Sequence, residues 1–311
     1  MHIPYKDGDI VLITVEELTV RYKNVLAVDR ISFSVAEGEI FGIIGPNGAG
    51  KTSTIECIEG LRRPAGGEIR VLGIDPVQRR QLYQHIGVQL QETYYPPAIK
   101  VEELCRLFSS FYSTPLPYRE LLRRFGLEGK GKARIYDLSG GQRRKVSIIL
   151  ALLGNPQILF LDELTTGLDP QSRKDMWELI KTLRQEGKTI FMTTHYMEEA
   201  EYLCDRICML VQGKIAALGT VNELVDQAGP GQVITFNTVS DVGGLRQVPG
   251  VKRVVVEGNR VQVFGHGPDL LKDVVVWLTG NQVDFDDLSE TKSNLEDVFL
   301  KYTGTGLEEA Q

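Results

Sequence analysis

Short continuous apolar runs, separated by polar glycine-rich turns, organise the first two-thirds of the chain. EIFGII (39–44), QILFLD (157–162), KTIFMT (188–193) and RICMLV (206–211) are apolar along nearly their whole length. Such runs predict strands covered on both faces. Further strands are predicted near 10–20 and 31–35. A helical pattern follows position 50, and another spans 170–186. This alternation of strand and helix predicts a largely parallel sheet. Between about 92 and 150 the pattern changes to helices with proline breaks, YYPP and STPLPY, which predicts an all-helical insertion. Gly229, Pro230 and Gly231 then mark a linker near 222–231.

Beyond the linker the period shortens. Strands are predicted over QVITFNT (232–238), VKRVVVE, RVQVF and QVDFDDL, with a hairpin signal at Gly258-Asn259. VGGLRQV reads as a short helix and PDLLKDVVVWLTG as a longer one. The order β-α-β-β-α-β is that of a ferredoxin-like unit. A last helix over 293–304 places Leu295, Val298, Phe299 and Tyr302 on one face. The domains expected are therefore 1–222 and 223–311.

Composition narrows the class. In 311 residues, 42% are hydrophobic and 24% charged, a globular balance that excludes disorder and fibrous repeats. No apolar stretch approaches the ~18–20 residues of a membrane span, and MHIPYKDGD lacks a basic-then-apolar signal pattern. The net charge of −6 argues against bulk nucleic-acid binding. It is unevenly placed: residues 221–311 hold 14 acidic and 7 basic side chains, against 27 and 28 before them. That tail also holds 17 valines, a strand-favouring composition. Cys57, Cys105, Cys204 and Cys208 are too scattered for a disulfide framework or a zinc set, and fit buried thiols of a reducing cytoplasm.

The candidate chemistry lies in the first domain. Gly45-Pro46-Asn47-Gly48-Ala49-Gly50-Lys51-Thr52 fits G-x-x-x-x-G-K-[ST], directly after a predicted strand and opening a helix, with Ser53 next. The glycines let backbone N–H groups turn inward around phosphates, and the helix N-terminus adds partial positive charge. Lys51 can reach the β/γ-phosphates and the Thr52 hydroxyl can ligate Mg²⁺. ILFLDE places Asp162 and Glu163 at the C-terminal end of a buried strand, where ligands of α/β sheets collect. Asp162 suits Mg²⁺ coordination, and Glu163 suits a base acting on water. Leu138-Ser139-Gly140-Gly141-Gln142 then caps a long helix, a second anion site in the same chain.

LSGGQ together with the phosphate loop resembles the ATP-binding cassette family. The resemblance implies an α/β P-loop NTPase cassette with a RecA-like parallel core, an N-terminal antiparallel β-subdomain and a helical subdomain. It further implies a head-to-tail dimer in which the signature of one chain closes on the ATP of the other. In family order, Tyr22 matches the aromatic that stacks on adenine, with Val28 as an apolar neighbour. Gln91 matches the glutamine touching Mg²⁺ and the attacking water, with Gln89 as the alternative. Asp169 matches the aspartate that contacts the partner's P-loop, and His195 the histidine that contacts the γ-phosphate. Leu164 departs from the family's usual LDEPT, where a proline stands.

HYMEEAEYLCDRICMLVQGKIAALGT and LEDVFLKYTG resemble one branch, the bacterial multidrug and antibiotic-resistance exporter ATPases. This implies ATP and Mg²⁺ as ligands and a separately encoded permease received by the helical subdomain. It also implies a location on the cytoplasmic face of the cell membrane. An importer ATPase shares every cassette motif; the terminal domain and its ending favour export. Chromosome-organising and ribosome-associated relatives are disfavoured by the lack of heptads and of a second cassette.

Overall fold

The structure is a computed structural model describing residues 10–90, 94–228, 231–292 and 294–303. The chain divides into two compact units between Thr220 and Val221.

In the first unit, β1 (Val11–Tyr22) and β2 (Val25–Ala36) form a hairpin, and β3 (Ile40–Ile44) runs into the glycine loop ahead of α1 (Lys51–Ile58). Next come β4 (Gly66–Val71), the single turn α2 (Arg79–Leu82) and β5 (Ile86–Gln89). The helical insertion contains α3 (Val101–Ser109), α4 (Tyr118–Arg124) and α5 (Gly140–Leu152). The unit finishes with β6 (Ile158–Asp162), α6 (Pro170–Gln185), β7 (Thr189–Thr194), α7 (Met197–Leu203), β8 (Arg206–Val211) and β9 (Lys214–Gly219). Two sheets result. One is antiparallel in the order β2-β1-β4; the other has the order β5-β6-β7-β3-β8-β9, parallel except for the edge strand β9.

The apolar runs explain this arrangement. Every residue of β3, β6 and β7 is buried, as strands covered on both faces require. A shared core joins the sheets: Phe33 of β2 stacks on Phe41 of β3 at 5.2 Å, and Phe191 packs on Phe41 at 5.7 Å and on Phe160 at 5.5 Å. Offset aromatic contacts of this kind add ~0.5–1.5 kcal/mol each beyond their burial. This core holds β6, β7 and β3 rigidly side by side, so the loops leaving their C-terminal ends are neighbours. β4 and β9 are among the strands that the period reading passes over. GGEIRV becomes β4, although its exposed Glu68 and Arg70 give it little apolar signal, and KIAALG becomes β9 on the sheet edge.

The second unit holds α8 (Val221–Ala228), β10 (Gln232–Asn237), β11 (Val251–Glu257), β12 (Arg260–Gly265), α9 (Leu270–Gly280), β13 (Asp286–Lys292) and α10 (Leu295–Thr303). Its sheet is antiparallel throughout, in the order β11-β12-β10-β13. A first crossover carries the chain from β10 to β11 at the far edge, the hairpin returns β12 between them, and a second crossover through α9 lays β13 on the other side of β10. Leu270, Val274 and Leu278 of α9 pack with Ile234, Phe236, Val261 and Val263. The first crossover is only a 3₁₀ turn, Gly243–Gln247, because its two leading glycines disfavour a regular helix. β13 starts four residues later than QVDFDDL suggests. Val283, the apolar residue that marked the run, is buried in the core before the strand begins. The pairing itself falls on Asp286 to Lys292, opposite Asn237 to Gln232.

Among the described residues, no helix is long and apolar enough to cross a membrane. All four cysteines are buried and free.

Candidate functional site

The loop after β3 turns on glycines. A Cβ on Gly45 would lie 2.3 Å from the carbonyl oxygen of Leu210 on β8. Gly50, at φ 104°, forms the N-cap of α1, and a Cβ there would lie 2.7 Å from Ala27 O and 3.0 Å from Val28 Cγ2. Val28 is thus fully buried, lying against the loop's last glycine. Asn47 and Gly48 are exposed at the tip, while Ala49 is buried and Pro46 half-buried. Lys51 Nζ curls back to donate to Gly45 O at 2.7 Å and Pro46 O at 3.1 Å. Burial lowers its affinity for the proton, and the Glu163 and Asp162 carboxylates oppose that. Thr52 is exposed on the first turn of α1.

β6 and β7 deliver the acids and the histidine. Asp162 ends β6, 7% exposed, and accepts a hydrogen bond from Thr193 Oγ1; burial raises its carboxyl above the ordinary range. Thr193 Oγ1 also accepts from the Glu163 backbone N–H at 3.2 Å. Glu163 takes the left-handed backbone conformation, φ 46°, as do several other turn residues of this chain. Its Oε2 lies 3.5 Å from His195 Nδ1 and from Thr166 Oγ1. The hydrogen bond from His195 holds the Glu163 carboxyl below its ordinary value, against a smaller upward push from burial. Lys51, Asp162, Glu163 and His195 therefore sit at the ends of three adjacent strands, where opposite charges and turned backbone N–H groups can bind a polyphosphate and polarise water.

Tyr22 lies at the end of β1, 39% exposed. Its hydroxyl is 3.0 Å from Ser53 Oγ, and the Arg62 guanidinium sits 4.4 Å over its ring, held by Glu56 at 2.7 Å. The signature forms a reciprocal cap on α5. Ser139 Oγ accepts from the Gln142 N–H at 3.3 Å, and Gln142 Oε1 accepts from the Ser139 N–H at 3.2 Å. Leu138 is buried beneath, Ser139 and Gly140 are exposed, and Gly141 approaches Ser172 of α6. Asp169 caps α6 through Ser172 N–H at 3.0 Å, and hydrogen bonds from the Ser172 hydroxyl and then from this N–H hold its carboxyl below the ordinary value. Gln91 lies outside the described residues. Gln89 is described: 2% exposed at the end of β5, it donates to Leu90 O.

Several site residues were not singled out by motif. Thr193 lay inside a run read only as strand. Gly213, whose N–H donates to Ala49 O at 3.1 Å, braces the loop from the turn between β8 and β9. Arg62 on the Tyr22 ring carried no signal beyond its charge.

Glu59 closes α1 behind the site, 1% exposed. Burial, with Asp162 and Glu56 nearby, pushes its carboxyl up from 4.5 to about 8. The folded chain then keeps a proton that the unfolded chain releases. The contribution of Glu59 to stability is full below about 4.5 and falls by ~1.4 kcal/mol for each pH step up to about 8. Glu59→Gln, equal in size with no charge to bury, is expected to remove that slope. Its Tm should exceed wild type by several degrees at pH 8 and match it near pH 5, as read by thermal unfolding at both values.

Residues 28–166 match the family model for ABC transporters. The chain is 38% identical over 299 residues to Nod factor export ATP-binding protein I of Mesorhizobium japonicum, covering 94% of this chain and 86% of the relative. A solved ATP-binding subunit of an ABC transporter aligns at TM-score 0.64 and 29% identity, covering 70% of this chain and 92% of that one. A dimeric bacterial ABC transporter cassette aligns at TM-score 0.60 and 26% identity, covering 67% and 98%. With the phosphate loop, signature and acidic strand end in family order, the chain belongs to the ABC transporter family as an ATP-hydrolysing cassette of the export type.

Proposed function

We propose that two copies of this chain close head to tail around two ATP molecules and thereby drive a separate permease in an export system. The carrying observation is the convergence of Lys51, Asp162, Glu163 and His195 at the ends of adjacent strands, while Ser139 and Gly140 stand exposed at a helix N-terminus. Residues 45–53 cradle the phosphates of one nucleotide, Tyr22 stacks on its base, and Ser139 to Gln142 close on the nucleotide of the partner copy. Glu163 acts on the in-line water, His195 holds that carboxylate ionised and contacts the γ-phosphate, and Asp169 contacts the partner's loop. In-line phosphoryl transfer depends mainly on such positioning and electrostatics.

The donor set near the loop fits Mg²⁺. Asp162 and the exposed Thr52 hydroxyl are hard oxygen ligands, few enough to leave room for water and phosphate oxygens. Bound there, the ion would neutralise phosphate charge, with Gln91 as a third contact. Docking of a permease is supported by an apolar groove of about 450 Å³ between the core and the helical insertion. Tyr83, Val88 and Leu90 line one side, Phe108, Phe111 and Tyr112 the other. A cytoplasmic helix of the permease fits such a groove through its apolar face. A cassette docked in this way would sit peripherally on the cytoplasmic side of the membrane. Export as the direction rests on the relatives named for Nod factor export. The contacts that select the cargo would lie in the permease.

Light scattering tests the dimer. Glu163→Gln with ATP is expected to double in mass, whereas Ser139→Arg in that background should stay monomeric and bind ATP within about threefold of the parent. An ATP-dependent dimer that survives Ser139→Arg would remove the signature from the interface.

A further inference from the structure

Three segments that bear Glu163, Asp169 and His195 are tied together at one carboxylate oxygen behind the site. Glu199 lies on α7, one helical turn past His195, and is fully buried. Its Oε1 accepts a hydrogen bond from Thr165 Oγ1 at 2.7 Å and another from Trp177 Nε1 at 2.9 Å. Thr165, also fully buried, belongs to the turn directly after Glu163. Trp177 is on α6, the helix that Asp169 caps. Glu199 Oε2 is buried with no hydrogen-bond partner among the described residues.

A carboxyl group withdrawn from water with two donors on one oxygen, and with no ion pair among the described residues, is costly to the fold. Its compensation lies in geometry. Leu164 stands between Glu163 and Thr165, so no proline ring stiffens this turn, and Glu163 leaves the strand with φ 46°. Besides the backbone N–H contacts of Glu163 to Thr193, the turn is held by the buried Leu164 side chain, by Thr166, whose N–H and hydroxyl reach Glu163, and by Thr165, whose hydroxyl carries the link to Glu199. A buried hydroxyl with one strong acceptor restrains the turn much as a ring would.

We infer that Glu199 is a positioning residue for ATP hydrolysis: through Thr165 it fixes the turn that aims Glu163, and it couples that turn to α6 and α7. The inference rests on Glu163 as the group acting on water, which Glu163→Gln tests separately. The element sensed is an acceptor oxygen at the position of Oε1, not the negative charge.

Steady-state phosphate release and nucleotide titration on the full chain provide the test. Thr165→Val keeps the shape and removes the hydroxyl donor; Glu199→Leu removes the acceptor. Each is expected to lower kcat about 10- to 100-fold, since an ångström of misplacement costs ~10² in rate. The Kd for ATP should stay within about threefold of wild type, because the phosphate loop is untouched. Thr165→Val/Glu199→Leu should be no slower than the slower single variant, as expected of two ends of one interaction. Glu199→Gln, whose amide oxygen accepts both donors, should restore kcat to within about threefold of wild type. Thr165→Val with wild-type kcat overturns the inference. So does Glu199→Gln as slow as Glu199→Leu, which would make the charge the active element. Should Glu199→Leu fail to fold, Thr165→Val and Glu199→Gln decide the matter alone.

Discussion

Glu163→Gln is expected to lower kcat by ~10²–10⁴ while leaving the ATP Kd within about threefold of wild type. The amide occupies the same volume at the end of β6, so the turn, the Thr193 contacts and the His195 ring keep their places. What disappears is a negative oxygen able to receive a proton or to polarise water. The direction of the pKa change sharpens this expectation. His195 holds the Glu163 carboxyl below its ordinary value, so it is ionised throughout the neutral range and is a weak base by itself. A base poised for proton abstraction sits near the working pH. Glu163 is therefore suited to orient and polarise water from the outset, with proton transfer completed as the phosphoryl group departs. Protonation of Glu163 should accordingly cause no loss of kcat between pH 7 and 5, its own inflection lying below the ordinary 4.5. Phosphate release across that range, alongside fluorescent-nucleotide titration, checks both expectations. A Glu163→Gln enzyme with wild-type turnover would falsify the assignment.

The parts of this molecule that show in the sequence are those whose cause is local. β3, β6, β7 and β8 are covered on both faces, so each announces itself as an unbroken apolar run. The phosphate loop is legible because consecutive backbone N–H groups can turn inward only where glycines stand at fixed spacing. The signature is legible for a similar reason, its cap being closed by Ser139 and Gln142 three positions apart. By contrast β4 and β9 lie at or near sheet edges with one side polar, and their pattern falls below the threshold of a periodic reading. The 3₁₀ turn over Gly243–Gln247 was expected as a short helix, and β13 was displaced by the buried Val283 that precedes it. Contacts between distant positions were not legible at all. Thr193 supports Asp162 and Glu163 across 31 and 30 positions, and Glu199 reaches Thr165 across 34. Nothing in the local spacing of a threonine inside a strand, or of a glutamate on an amphipathic helix, marks it as a brace. Only the pairing of β6 with β7, itself a consequence of the core, brings these residues together.

The same distinction between local and distant causes separates two glycines of the phosphate loop, and it sets the second large effect. Gly45→Ala is expected to weaken ATP binding by ~10² or more, whereas Gly48→Ala should weaken it by less than about tenfold. At Gly48, φ is 78° and no atom lies within 4 Å of where a Cβ would be. Alanine there meets only the left-handed backbone penalty of ~1–2 kcal/mol, which lowers fold stability and leaves the loop's path open. At Gly45 the obstacle is the Leu210 carbonyl oxygen, 2.3 Å from the new carbon, against ~3.3–3.6 Å for an ordinary C···O contact. That oxygen cannot withdraw. Leu210 pairs with Ile215 of β9, and its neighbour Met209 pairs with Ile44, the residue before Gly45 itself. Relief must come from the loop, displaced by about an ångström just where Gly45 O receives Lys51 Nζ at 2.7 Å. Displacement there moves the ammonium and the first N–H groups of α1 off the phosphates together, so the losses compound. Fluorescent-nucleotide titration of both variants, with Tm measured in parallel, checks the ordering. If Gly45→Ala binds ATP as tightly as Gly48→Ala, the contact between β8 and the loop is compliant, and the rigidity attributed to this edge of the sheet does not hold.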